Sequence, residues 1–201
     1  MTEDFKDEIR ERMGAVDLSL NVCEYLSRYH ADTVRELWSL TEETGLEHGT
    51  AVWLEEGQPT AFSPQAGRER SIDKVTPPTG DSLGPVNISL HTHPNNSLAL
   101  SEADFQSLSG KLQFPPERVD WVGGETVRGI AIISRRLKEK EISIRGWTGS
   151  VEHTRLTIEE QSDRYPEIIS RIREADALRR GLAAEREFGD LATACMEQVE
   201  P

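Results

Sequence analysis

At 201 residues the chain is long enough to bury one sizeable core, and one domain with terminal extensions fits this length better than two full domains. Its formal net charge of -13, from 36 acidic against 23 basic residues, repels a phosphate backbone and argues against nucleic acid as a partner. No run approaches the roughly 20 apolar residues that span a bilayer, and the opening MTEDFKDEIRERM lacks the basic-then-apolar order of a signal peptide, so a cytoplasmic protein with no membrane contact is expected.

Residues 2–14 are charge-dense and predict a solvated helix to which no function is assigned. In DTVRELWSLTEET, Val34, Leu37, Trp38 and Thr41 fall at helical spacing, with Asp32 or Thr33 as N-cap and Gly45 as the stop. The runs TAVWL (50–54) and VNISLHTH (86–93) read as strands on either side of a Gly/Pro-rich stretch, 57–85. Beyond Pro94 a helix is expected from Ser101 to Leu112, ended by Pro115-Pro116. Strands VDWV (119–122), VRGIAIIS (127–134) and EISIRGW (141–147) follow. From Pro166 a long amphipathic helix carries Ile168, Ile172, Ala175 and Leu182 near one face and is weakened at Gly181 and Gly189. The pattern defines an α/β domain in layers, a mixed sheet flanked by helices. Cys23 and Cys195 lie far apart without CxxC spacing, so neither a disulfide scaffold nor a cysteine zinc site is indicated. Any metal is then held by nitrogen and oxygen.

Such donors converge near residue 90. If 86–93 is a strand, Val86, Ile88 and Leu90 point one way, and Asn87, Ser89, His91 and His93 the other, so both imidazoles share a face. Pro94 turns the chain, Ser101 opens a helix, and Asp104 in its first turn can swing back toward the strand end. Two nitrogens and one oxygen leave a fourth tetrahedral position for water, the arrangement of a catalytic zinc. The same donors accept other divalent ions. Read separately the pieces are ordinary: Ser101-x-x-Asp104 is close to a capping box, and His-x-His on a strand is often incidental.

The joint pattern is more specific. His91-Thr92-His93-Pro94, seven residues between His93 and Ser101, and two between Ser101 and Asp104 resemble the JAMM/MPN+ signature of the Jab/MPN metalloproteases. That signature is a glutamate followed at variable distance by His-(Ser/Thr)-His-x7-Ser-x-x-Asp. The resemblance extends over residues 31–147 in element order and over about 15 residues in motif. It implies a Jab/MPN-like, cytidine-deaminase-like layered domain over 31–150, with helical extensions at 1–30 and 151–201. It implies Zn2+ on His91, His93 and Asp104, Ser101 supporting the oxyanion or the bound water, and a glutamate before a strand as general base. Glu47, in GLEHGTAVWL, sits just there, and Gly49 matches a glycine that often follows; Glu42, Glu43, Glu55 and Glu56 compete, most of them as surface charges. His30, His48 and His153 have no comparable partners by spacing and are not expected as ligands.

The function so implied is zinc-dependent hydrolysis of peptide or isopeptide bonds in a protein substrate, including one conjugated to a ubiquitin-like modifier. The lysine-poor, acid-rich balance, 18 Arg to 5 Lys, resembles proteins of salt-loving archaea and points by analogy to small archaeal modifiers. Other readings are an inactive MPN-type scaffold, against which the full ligand set argues, and a DNA-repair relative, against which the charge argues. A small-molecule amidase, or a peptidase acting on sulfur-carrier proteins, fits the same residues. Substrate choice is expected in loops 57–85 and 113–126, with TPPTGDSLGP (76–85) as a connector.

Overall fold

Asn21 and Glu24 start the first helix among the described residues, α1 (Val22–Tyr29), with a reciprocal capping box: the Asn21 side chain accepts from the Glu24 N–H at 3.0 Å, and the Glu24 carboxylate accepts from the Asn21 N–H at 3.1 Å. The computed structural model describes residues 16–55, 57–69, 72, 86–101, 103–104, 127–135, 139–148, 170 and 193–201. The helix expected over 2–14 lies outside these. Val22, Cys23, Tyr25 and Leu26 form the buried face of α1, so this part of the expected N-terminal extension is core.

The second helix, α2 (Ala31–Thr44), buries Val34, Leu37, Trp38 and Thr41 as their spacing predicts. Gly45 ends it in the left-handed region (φ 71°), and its N–H caps the Thr41 carbonyl. The N-cap is His30, not Asp32 or Thr33. The His30 N–H donates to the Leu26 carbonyl and its carbonyl accepts from Val34, so one residue closes α1 and opens α2. Asp32 is left in the first turn, paired with Arg35 at 2.6 Å.

Among the described residues seven strands form one mixed sheet: β1 (His48–Glu55), β2 (Gln58–Ala61), β3 (Gln65–Ala66), β4 (Val86–Thr92), β5 (Val127–Ser134), β6 (Ile142–Thr148) and β7 (Thr193–Val199). Their order is β2-β1-β4-β5-β6-β7, with β3 also on β1. β4 and β5 are parallel; every other pairing is antiparallel. Strands β1, β4, β5 and β6 fall on four of the five runs expected as strands. Residues 58–61 and 65–66, inside the Gly/Pro-rich stretch, are strands as well, because pairing to β1 supplies what their composition lacks.

The helix expected from Pro166 onward does not account for the last residues. Ser170 is helical and the rest of 166–192 lies outside the described residues, as does VDWV, but Thr193–Val199 is a strand paired along β6. A disulfide joins Cys23 to Cys195, with Cα atoms 5.9 Å apart, contrary to the sequence expectation. Their separation of 172 residues hides the contact, which exists because α1 packs on β6 and β7. Gly146 permits it: a Cβ there would meet Val22 Cγ1 at 2.8 Å and the sulfurs of Cys23 and Cys195 at 3.0 and 3.1 Å. Val86, Ile88 and Leu90 of β4 join the core cluster that includes Val34, Leu37 and Trp38 of α2. Among the described residues no helix is long and apolar enough to cross a membrane.

Candidate metal centre

Parallel strands need a crossover connection, and the one leaving β4 for β5 starts at His93 and carries Asp104. The site lies at this end of β4. His91, on the strand, and His93, one residue past it, direct Nε2 atoms at each other across 3.1 Å. Asp104 closes the triangle: Oδ1 is 3.1 Å from His91 Nε2, and Oδ2 is 3.5 Å from His93 Nε2. All three side chains are buried, and their donor atoms lie within 4.8 Å of one another.

These separations fit a small cation. Ligands about 2.0–2.1 Å from a tetrahedral zinc stand ~3.3 Å from each other, within a few tenths of the three distances here. Two imidazole lone pairs facing each other repel unless a proton or cation lies between them. His93 Nδ1 lies 3.1 Å from the Ser97 carbonyl, and donating there it leaves Nε2 free to ligate. Burial pushes the Asp104 carboxyl upward, but the neighbouring imidazoles, His91 foremost, more than reverse this and hold it well below the usual carboxylate range. A carboxylate is therefore what faces the two nitrogens.

Backbone contacts hold these side chains in place. The His93 N–H donates to the Ile133 carbonyl at 2.9 Å and the His93 carbonyl accepts from Ser134 Oγ at 2.9 Å, which anchors the end of β4 on β5. The connecting loop turns through Asn96 at φ 60°, the one non-glycine residue with positive φ among those described, and presents the Ser97 carbonyl. Ser101 and Asp104 form a reciprocal cap: the Ser101 N–H donates to Asp104 Oδ2 at 2.7 Å, and the Asp104 N–H donates to Ser101 Oγ at 3.2 Å. Residues 103–104 are helical; the remainder of the helix expected to Leu112 lies outside the described residues.

Glu47 immediately precedes β1. The register pairs Gly49 with His91, so two residues further on Glu47 stands across from His93. A Cβ on Gly49 would meet the Leu90 carbonyl at 3.0 Å and His91 Cβ at 3.1 Å, so glycine lets β1 approach the ligand strand here. Burial pushes the Glu47 carboxyl up to about 7, with His93 pulling it down and Asp104 pushing it further up. It is 7% exposed. Among the competitors Glu42 pairs with Arg135 at 2.6 Å, Glu43 and Glu55 are exposed, and Glu56 lies outside the described residues.

The other histidines stay outside the group. His48 is buried, its Nδ1 3.1 Å from the Leu46 carbonyl; burial takes His30 down to about 4; His153 lies outside the described residues. The sequence reading missed the Ser97 carbonyl, a main-chain atom without a residue signature, although Asn95-Asn96-Ser97 is a recognisable turn. It also missed the contacts of Thr92. The chain matches no protein-family model, no curated protein and no solved structure.

Proposed function

We propose that the chain is a zinc-dependent metallopeptidase of the Jab/MPN type, cleaving peptide or isopeptide bonds in cytoplasmic protein substrates, including lysine linkages to ubiquitin-like modifiers. The observation that carries this reading is the buried convergence of His91, His93 and Asp104, with Glu47 beside it held up to about 7. A divalent ion, when bound, supplies Lewis acidity toward water and a carbonyl. The protein supplies the rest. Glu47 is buried across the strand pair from His93, and as a carboxylate, the form a nearby cation favours, it can take a proton from the attacking water and return it to the leaving amine nitrogen. The Ser101 oxygen accepts from the Asp104 N–H, which leaves its own proton to donate to the developing oxyanion. The formal charge of -13 favours a protein substrate over nucleic acid.

Elemental analysis of the purified chain tests the centre. Near one zinc per chain is expected in the wild type, lost in His93→Ala and Asp104→Asn while their circular dichroism stays native. Cleavage of a lysine-isopeptide conjugate of a ubiquitin-like modifier then tests the reaction, with Glu47→Gln retaining metal and losing turnover. Zinc bound without cleavage of the conjugate or of a linear peptide would sink the peptidase reading, and absence of bound metal after reconstitution would sink the centre.

A further inference from the structure

Thr92 lies between the two histidines and points the opposite way. It is fully buried and extends toward α2, where its Oγ1 meets Thr41 Oγ1 at 2.5 Å. The same oxygen accepts from the His48 N–H at 2.8 Å and lies 3.3 Å from the His48 carbonyl. Thr41 Oγ1 is in turn 3.3 Å from His48 Nδ1. A hydroxyl has one proton and two acceptor sites, so three contacts use the Thr92 oxygen fully. Three elements meet in this cluster: the last turn of α2, the first residue of β1 and the last of β4.

The ladder between β1 and β4 ends at Gly49 and His91, and the Thr92 hydroxyl carries the attachment one residue further along β1. Glu47 comes next. Its other flank is held by main chain alone, its N–H donating to the Arg68 carbonyl at 2.9 Å and its carbonyl accepting from the Gly67 N–H at 2.8 Å. His91 pairs with Gly49 of β1, but the imidazoles are also held by β5 and by the Ser97 carbonyl, and Asp104 by its cap with Ser101, contacts that the cluster does not touch. The cluster therefore bears on the placement of Glu47 and not on that of the imidazoles.

We infer that Thr92, acting with Thr41 and His48, is a positioning residue that locks the start of β1, and Glu47 with it, against the strand carrying His91 and His93. This rests on the reading above that Glu47 moves the proton. Valine at position 92 keeps the shape and removes the hydroxyl, leaving the buried His48 N–H without its acceptor; serine keeps the hydroxyl and loses only a methyl.

The test uses the full chain as Thr92→Val, Thr92→Ser and Thr41→Val, with amide exchange followed by NMR and zinc affinity by chelator competition. In Thr92→Val the His48 and Glu47 amides exchange at least about 10-fold faster, while those of Ile130 and Ile132 in β5 keep their protection. Thr92→Ser restores slow exchange, Thr41→Val gives an intermediate loss, and zinc affinity stays within about 2-fold throughout. Unchanged exchange at His48 in Thr92→Val overturns the inference. Uniform acceleration across β5, or a zinc affinity that falls with the hydroxyl, overturns it too, because Thr92 would then support the fold or the ligands. A wild type that binds no zinc refutes the metal reading instead, and the exchange pattern still decides whether the lock exists.

Discussion

Replacing Glu47 with glutamine should stabilise the metal-free protein at alkaline pH. The carboxyl is raised from an ordinary 4.5 to about 7, mainly by burial. Each pKa unit corresponds to about 1.4 kcal/mol, so the ionised side chain costs the folded state about 3 kcal/mol. The sign follows from proton binding: between 4.5 and about 7 the folded chain holds a proton that the unfolded chain has released, so stability present below 4.5 is lost as pH rises through 7. Glutamine is neutral throughout and removes this loss. In urea unfolding with chelator, Glu47→Gln and wild type should coincide near pH 4 and diverge to about 3 kcal/mol by pH 8.5, with unchanged m-values. Saturating zinc should narrow the gap, because a cation near Glu47 favours its carboxylate. Stability curves that stay parallel from pH 4 to 8.5 would refute the claim that Glu47 is a buried carboxyl poised near neutrality, and with it the role given to it as the proton carrier.

Two further perturbations are read by the same unfolding assay. Burial takes His30 from 6.5 to about 4, so its contribution is present above 6.5 and lost as pH falls toward 4, by about 3 kcal/mol; His30→Phe should flatten that acid limb and leave the alkaline one unchanged. The Cys23–Cys195 disulfide closes a separation of 172 residues, so Cys195→Ser should lower stability by about 2–5 kcal/mol, and a reductant that destabilises the wild type should leave the variant unaffected.

Period and turn chemistry carried the centre of the fold. The apolar spacing of α2 marks its buried residues because a helix packed on one side repeats every 3.6 residues, and Gly45 ends it because the left-handed conformation there suits glycine. The edges were less legible. β7 shares its sequence with what reads as the tail of an amphipathic helix, and only β6 and the disulfide to α1, both distant in the chain, select the strand. β2 and β3 likewise depend on β1. His30 illustrates a local limit: Asp32 and Thr33 have the better capping chemistry, yet the turn between α1 and α2 leaves room for a single residue, and that residue takes both caps.

At the site, two readings that compete in the sequence coexist in the structure. Ser101 and Asp104 do form the helix cap that their spacing suggests, and the same carboxylate faces His91 and His93. One oxygen accepts from the Ser101 N–H while the other lies nearest His91, so the cap aims the carboxylate at the imidazoles instead of removing it from them. A cap by itself needs no buried histidines opposite. A buried carboxylate that meets two buried imidazoles, with a protonatable glutamate across the strand pair, needs a cation or shared protons to be stable there. The capping box is thus the local means by which the chain places its third donor. Sequence spacing conveys that much because a reciprocal cap fixes Asp104 in the first turn of its helix, whereas the partners of Thr92 and His93, on α2 and in the loop after β4, are set only by the folded chain.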